Sequence, residues 1–409
     1  MNVLILSTQF PYPPRSGFET RVYQLTRQLA TRHKVLLVSY ASPDERRDAA
    51  TLAEQLPVQI VERDETSVGA KRLAQALSIA SPRPFSCRHV YSEKMQRVIT
   101  DLCSGDAFDV VQLESSLFCQ FDFPPHVKLV LDEHNIEYEL FWRMCQGERS
   151  VARRAFNRVE HARFRRFEQR SWNQVNGCLV TSDREVDIVR EHAPGVPTAV
   201  VPNGVDLDYF RPGSGEIEPH TVVFNGVLDY RPNLDAALHL VDEIWPLVVE
   251  RCPDARLTFV GRGSEADARR LAMPGVELTG EVPDVRPHLA RAAVVAVPIR
   301  IGGGTRLKIV EGLAMGKAIV STSTGCEGID VRDGENLLIG DDAGAFASRV
   351  LQLFEDPALG AELGRVGRLL VESEYSWNLA GERVEALYDA VLGSVSTKPL
   401  DDRDRAIAG

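Results

Sequence analysis

The sequence predicts an α/β protein made of two doubly wound, Rossmann-like domains that face each other across a cleft. Three observations carry this expectation. Short apolar runs rich in β-branched residues, such as Val3–Leu6, Val35–Ser39 and Val294–Val297, recur along the chain, as strands buried on both faces of a parallel sheet do. They alternate with stretches whose apolar residues repeat every three to four positions, the period of a helix. The chain has 409 residues, more than one ordinary core holds, which suits two domains.

Composition narrows the function. Hydrophobic residues make up 44% and charged residues 26% of the chain, the balance of an ordinary globular protein. A formal net charge of −11 argues against nucleic acid as the main ligand. The seven cysteines are scattered and form no C-x-x-C, so neither a disulfide framework nor a zinc site is expected. The opening MNVLILST has no basic n-region and reads as a first strand, not a signal peptide. No run reaches the roughly 18 apolar residues of a spanning helix. The expected compartment is the cytoplasm.

Taken in order, Val3–Leu6 is the first strand and Gln9–Gly17 a turn-rich loop. Thr20–Ala30 is helical, with Val22, Leu25 and Leu29 on one face, and Val35–Ser39 completes a βαβ unit. Loops at the C-terminal ends of such strands are where ligands bind. Gly17 is therefore a candidate ligand-site residue, with a plain surface turn as the alternative. Val58–Val61 gives the one strand signal in the polar stretch Asp44–Ser81, and Pro82–Tyr91 is expected to be a connecting loop. Asp109–Leu113 and Leu129–Leu131 are further strands. The second leads into DEHNIEY at Asp132–Tyr138, which places His134 and Asn135 just past a strand end.

Glu148–Trp172 is an arginine-rich helical stretch (Arg149, Arg153, Arg154, Arg158, Arg163, Arg165, Arg166, Arg170), with Phe156, Val159 and Phe167 available as its apolar side. Such a helix can lie on an anionic membrane. The interleaved Glu148, Glu160 and Glu168 favour a solvated helix packed on the first domain. Gly177–Thr181 and Thr198–Val201 close the first sheet. Asp206 and Asp208 form a D-x-D after Asn-Gly, where a turn is expected in preference to a metal site. The proline- and glycine-rich Arg211–His220 reads as an interdomain linker.

A second sheet begins at Thr221–Phe224, followed by Asn225-Gly226 and the loop Asp229–Asn233 with Arg231. Arg256–Val260 is a strand. Gly261–Ala266 after it reads G-x-G-x-x-A, with Glu281 twenty residues on. This nominally satisfies a dinucleotide fingerprint and makes a nicotinamide-dependent oxidoreductase the alternative class. Its depth in the chain, and the placing of Glu281 before Val282-Pro283, count against it.

Val294–Ser321 is the most informative stretch. A strand stops at Pro298, and Gly302, Gly303, Gly304, Thr305 and Arg306 follow. Leu307, Val310 and Ala314 set a helical period that Gly316 ends, and Ala318–Ser321 returns to a strand. A glycine loop opening a helix lets backbone N–H groups reach an anion at the positive end of the helix. Arg306 and Lys308 suit a doubly charged pyrophosphate. Glu311 shares a face with Lys308 and can accept two ribose hydroxyls, as a carboxylate does in dinucleotide folds. A nucleoside diphosphate is the expected ligand, and a turn that merely lets helix and strand pack closely is the alternative. Strand Leu337–Ile339 and amphipathic helices Ala345–Leu353 and Trp377–Leu392 complete the chain.

GGGTRLKIVEGLAMGKAIVST resembles the nucleotide-binding segment of retaining GT-B glycosyltransferases of family 4, in the subgroup reading GGGTRLK. The resemblance extends over most of the chain. It implies a GT-B fold with an acceptor-binding domain at 1–210 and a nucleotide-sugar-binding domain at 211–375. A C-terminal helix at 376–394 would cross back onto the first domain, ahead of a disordered tail at 395–409. It implies transfer of a sugar from a nucleoside diphosphate donor, UDP or GDP type, to an acceptor hydroxyl with retention of configuration, in bacterial polysaccharide or glycoconjugate synthesis. No metal cofactor is implied. The acceptor would be a glycan, a lipid-linked species or a small molecule, with peripheral contact to the inner membrane face through the Arg149–Arg170 helix. His134 would touch the donor sugar and the reaction centre, with Arg306 and Lys308 on the leaving diphosphate. Gly17, Arg231, Arg262, Val282, Gly303, Gly304, Thr305 and Glu311 would line the donor site, Val282 in the base-reading turn Gly280–Val282. Three departures stand out. Many members carry two glutamates eight residues apart, and the first falls here on Gly303. Paired glycines near the first loop are here Gly17-Phe18. Where an arginine often follows the glycine of the second domain's first loop stands Val227. A catalytically silent GT-B scaffold is the remaining alternative.

Overall fold

The computed structural model describes residues 1–63, 83–146, 150–213, 215–301 and 307–393. The first domain is a seven-stranded sheet of order β3-β2-β1-β4-β5-β6-β7, every pair parallel. Its strands are β1 (Asn2–Ser7), β2 (Lys34–Ala41), β3 (Val58–Glu62), β4 (Val110–Leu113), β5 (Leu129–Asp132), β6 (Gly177–Val180) and β7 (Thr198–Val200). Residues alternate between the faces of β1: Leu4 and Leu6 join one core, Val3 and Ile5 the other. Both faces are covered by helices, which is why these strands read as unbroken apolar runs.

The second domain is a six-stranded sheet of order β10-β9-β8-β11-β12-β13, formed by β8 (Glu218–Asn225), β9 (Arg256–Val260), β10 (Val276–Leu278), β11 (Ala292–Val297), β12 (Ile319–Ser321) and β13 (Leu338–Ile339). The expectation of two doubly wound α/β halves holds. In each sheet the order reverses beside the first strand, at β1/β4 and at β8/β11. Crevices at such switch points are where open α/β sheets bind ligands.

The chain crosses between the halves twice. The Val205 amide donates to the Tyr375 carbonyl at 2.7 Å. Helix Trp377–Gly393 then places Trp377, Val384, Leu387, Tyr388 and Val391 in the core of the first domain.

Several local expectations are corrected. Phe85–Val90 is a helix within the expected loop Pro82–Tyr91, because Cys87 and Val90 are buried. Helices Glu93–Cys103 and Pro357–Glu374 were not anticipated. The helix after β1 begins at Gly17, not Thr20, since Ser16 caps it and Glu19 completes a reciprocal capping box. Strand β8 starts at Glu218, inside the expected linker. Helix Arg231–His239 takes over the loop expected to run to Asn233, Pro232 suiting its first turn. The arginine-rich helix is Val151–Trp172, and its buried residues are Asn157, Glu160, Arg163, Phe164, Glu168, Ser171 and Trp172. Val159, expected on the packed side, is 43% exposed. The acids turn inward instead, Glu160 to Arg163 at 2.8 Å and Glu168 to the amides of Glu137 and Tyr138, both at 2.9 Å. Arg149 and the tail 394–409 lie outside the described residues.

Candidate active site

In the first domain the parallel register sets Leu113 beside Leu131, so Glu114 and Asp132 emerge side by side at the strand ends. Helix Gly17–Ala30, after β1, lays Phe18 and Arg21 over the same point. Arg21 is buried and grips Asp132 with two prongs, Nη2 to Oδ1 at 2.7 Å and Nε to Oδ2 at 2.9 Å. It also donates to the Val201 carbonyl at 2.7 Å and to Asn203 Oδ1 at 3.1 Å. His134 follows β5. Its Nε2 lies 2.9 Å from Glu114 Oε2 and 3.8 Å from Asp132 Oδ2. Phe18 stacks on the imidazole, with centroids 4.5 Å apart and 26° between planes. The residue in place of a second glycine therefore packs against the histidine. Glu114, Asp132 and His134 are close enough to share a cation, but Arg21 engages both oxygens of Asp132, and each oxygen of Glu114 already accepts a hydrogen bond.

Further acids lie behind this point. Burial raises the Glu133 carboxyl to about 8, against a hydrogen bond from Trp172 Nε1. Burial brings Glu137 to about 7, with neighbouring His134 opposing the rise. Glu168 is raised well above its usual range by burial and by Glu133 and Glu137.

In the second domain, the loops after β8 and β11 converge. Helix Leu307–Ala314 carries Lys308 and Glu311 on one face, as their spacing predicts. Lys308 Nζ donates to Asn233 Oδ1 at 2.8 Å and sits 4.4 Å from the centroid of the Phe224 ring. Burial pushes the Glu311 carboxyl up to about 7, against the Lys308 charge and a hydrogen bond with Asn225. Asn225 Oδ1 is buried and has no partner among the described residues. Gly226 takes φ 154°, and a Cβ there would lie 2.9 Å from Asn233 Nδ2 and 3.0 Å from Lys308 Nζ. This glycine lets the lysine and the asparagine close over the end of β8.

Gly261 takes φ 146°, and a Cβ on it would come 2.2 Å from the Gly226 carbonyl. The glycine of the nominal dinucleotide fingerprint thus serves the contact between the β8 and β9 loops. It also follows β9, away from the β8/β11 switch point, which removes the topological basis for the oxidoreductase alternative. Arg262 is half exposed and pairs with Asp229, Nε to Oδ2 at 3.1 Å. Val282 is partly buried beyond β10, next to Gly280, whose carbonyl accepts from the Gly261 amide at 3.0 Å. Arg231 opens its helix at the edge of this cluster. Gly303, Gly304, Thr305 and Arg306 lie outside the described residues. Asp206 accepts from the amides of Asp208 and Tyr209 at 3.1 and 2.9 Å, a turn-closing role for the D-x-D.

The two clusters face each other. A Cβ on Gly17 would lie 3.7 Å from Leu307 Cδ1, so the helix after β1 meets the helix that follows the glycine loop. Arg143 reaches Glu327 across the divide with Nη1 at 2.8 Å and Nη2 at 3.0 Å. The structure places His134 and Gly17 beside the β1/β4 switch point and Lys308 and Glu311 beside β8/β11. Arg21, Glu114, Asn225 and Asn233 also stand at these points and were not among the expected residues. The one signal for Glu114 was a charged residue directly after the buried run Val110–Leu113.

Residues 15–209 match the family model for Glycosyltransferase Family 4 and residues 219–356 that for Glycosyl transferases group 1. Together with the two parallel-sheet halves, these matches support a GT-B glycosyltransferase similar to family 4. The chain is 27% identical over 279 residues to a GDP-mannose-dependent monoacylated alpha-(1-6)-phosphatidylinositol monomannoside mannosyltransferase of Corynebacterium glutamicum, covering 63% of this chain and 68% of that protein. It is 30% identical over 218 residues to a phosphatidyl-myo-inositol mannosyltransferase of Mycobacterium tuberculosis, covering 49% of this chain and 56% of that protein. The chain thus spans between about half and two thirds of these curated relatives. Sucrose-phosphate synthase from Thermosynechococcus elongatus shares the fold at a TM-score of 0.72 and 18% identity, over 97% of this chain and 100% of that one. Anabaena HepE in complex with UDP does so at 0.68 and 14%, over 95% and 100%.

Proposed function

We propose that this protein transfers a sugar from a nucleoside diphosphate donor, of GDP or UDP type, to an acceptor hydroxyl with retention of configuration. The observation that carries this reading is the β8/β11 switch point. There Lys308, Glu311 and the buried Asn225 Oδ1, which has no partner among the described residues, meet at the start of a helix. Lys308, with Arg306 and the Gly303–Thr305 amides, supplies charge to the departing diphosphate, in place of a resident metal ion. Glu311 and Asn225 take the ribose hydroxyls. The first domain presents the acceptor, with His134 between the two substrates, and closure of the halves excludes water. That the relatives named above include a GDP-mannose-dependent enzyme acting on a phosphatidylinositol mannoside, and a fold neighbour holding UDP, supports the donor class and a lipid-linked or glycan acceptor in envelope polysaccharide or glycoconjugate synthesis.

The setting proposed is the cytoplasmic face of a membrane. No helix among the described residues is long and apolar enough to cross one. Contact would come through the outward side of helix Val151–Trp172, where Arg153, Arg154, Arg158, Arg165, Arg166 and Arg170 are exposed while Glu160 and Glu168 are buried. Flotation with anionic liposomes tests this arm.

Calorimetric titration with UDP, GDP, ADP and NAD, on wild type, Arg306→Ala and Lys308→Met, tests the donor site. One nucleoside diphosphate should bind wild type and be lost by both variants. Binding of NAD alone, unaffected by either substitution, would overturn the reading. The anomeric configuration of the product, read by NMR, tests retention.

A further inference from the structure

Glu114 is fully buried, and the structure shows what it does with both oxygens. Oε1 accepts from Gln112 Nε2 at 2.6 Å, and Oε2 lies 2.9 Å from His134 Nε2. Gln112 in turn accepts from the hydroxyl of Tyr388 on the returning C-terminal helix. Gln112 and Tyr388 are themselves fully buried, so Glu114 is held in one place by its own strand neighbour Gln112, which Tyr388 of the returning helix anchors in turn. A carboxylate acceptor requires a donor opposite it, so Nε2 of His134 carries hydrogen. Phe18 on the imidazole face then fixes the ring plane, and the His134 side chain remains 11% exposed.

We propose that Glu114 is a positioning residue for sugar transfer. With Phe18 it holds His134 in the Nε2–H tautomer and leaves Nδ1 as the acceptor for a substrate hydroxyl. This inference rests on the transferase reading for its kinetic consequence, not for its structural one. The logic is that of a buried carboxylate that orients a histidine without taking its proton. The tie to Tyr388 makes the tautomer depend on the crossing helix, whose N-terminal neighbour Tyr375 belongs to the second domain's core.

The test uses the full-length chain labelled with 15N-histidine. Long-range 1H–15N spectra of wild type, Glu114→Gln, Glu114→Ala and Phe18→Leu report the ring nitrogens, with His134 assigned through His134→Asn. Wild type should show one His134 species protonated at Nε2. Glu114→Ala should give a mixture of tautomers, and Glu114→Gln, which keeps the packing, a shifted population. In transfer from UDP-glucose or GDP-mannose, whichever wild type uses, Glu114→Gln should lower kcat at least about tenfold, part of the roughly 10²–10⁴-fold a positioned acid or base supplies. The donor KM should stay within about twofold, and the pH profile of kcat should move. A wild-type Nδ1–H tautomer, or variants with unchanged spectra and kcat, overturns the proposal. If neither UDP nor GDP binds wild type, the transferase reading fails, while the spectra still decide the role of Glu114.

Discussion

Arg143 and Glu327 form a two-pronged ion pair between the two domains, at 2.8 and 3.0 Å. Arg184 stands 3.8 Å from the same carboxylate and also pairs with Glu139. The Arg143 and Glu327 side chains are 24% and 30% exposed, so water screens the pair and its worth is about 1 kcal/mol or less. Its effect should therefore appear in the spacing of the halves more than in global stability. Arg143→Glu is expected to widen the radius of gyration by small-angle scattering, and Arg143→Glu with Glu327→Arg to restore it. An unchanged scattering curve in the single variant would show that the pair does not hold the halves together.

Lys308 is half enclosed by Asn233 and the Phe224 ring, so its ammonium is fixed before any ligand arrives. A charge-assisted contact to a phosphate is worth about 1.5–3 kcal/mol, and Lys308→Met should weaken nucleoside diphosphate binding about 10- to 150-fold. The unfolding midpoint without ligand should change little. Calorimetry with UDP and GDP measures it, and equal affinity in the variant would remove Lys308 from the donor site.

The Glu311 carboxyl, raised to about 7 by burial, binds ribose hydroxyls best when ionised. Nucleoside diphosphate affinity should therefore rise as pH goes from about 6 to 8 and level off above, because binding the ionised form releases a proton. Glu311→Gln should bind more weakly at pH 8 and lose this dependence. A wild-type affinity flat across that range would contradict the role.

The sheets were legible because their strands are buried on both faces, so that Val3–Leu6 and Val294–Val297 carry their own signal. The helix at Leu307 was legible from period and a terminating glycine. The helices Phe85–Val90 and Pro357–Glu374 were not. The first is short and opens after Pro84, which reads as loop punctuation, and the second buries three glycines, Gly360, Gly364 and Gly367, where a sequence pattern looks for apolar side chains. Gly364 lies so close to the Gly316 carbonyl that a Cβ would come within 2.0 Å, so these glycines are the packing surface. The arginine-rich helix misled in the opposite sense, since its buried side mixes Phe164 and Trp172 with Asn157, the Glu160–Arg163 pair and Glu168, and buried polar groups break the apolar period. Arg21 and Glu114 escaped because their roles depend on strand order: β1, β4 and β5 are neighbours in space and distant in sequence.

Burial also shapes the response of the whole fold to pH. Glu133 at about 8, Glu137 at about 7 and Glu168, well above its usual range, hold more protons in the folded chain than in the unfolded one, where glutamate titrates near 4.5. Stability must then fall as pH rises from about 4.5 to about 8. The carboxylates whose pKa is lowered, such as Asp254 and Glu362, are exposed and act below that window. Glu137→Gln should remove up to about 3 kcal/mol of the fall, at about 1.36 kcal/mol per pKa unit. Urea unfolding at pH 5, 6.5 and 8 checks it, and wild-type stability that rises over this range would refute the assignment.

Arg21 and Asp132 are both essentially inaccessible to solvent, and each is the main partner of the other's charge. Removing one leaves the other buried and unpaired, which costs about 3–5 kcal/mol, whereas replacing both with apolar groups of similar volume can be neutral or stabilising. Arg21→Met should therefore lower unfolding free energy by that amount, and Arg21→Met with Asp132→Leu should recover much of it. Activity should separate from stability in the double variant. Asp132 Oδ2 lies 3.8 Å from His134 Nε2, and Arg21 holds the Asn203 side chain and the Val201 carbonyl at the end of the sheet. A double variant that is stable yet slow would show that the pair is kept for the electrostatics around His134. One both stable and fully active would assign it to folding alone.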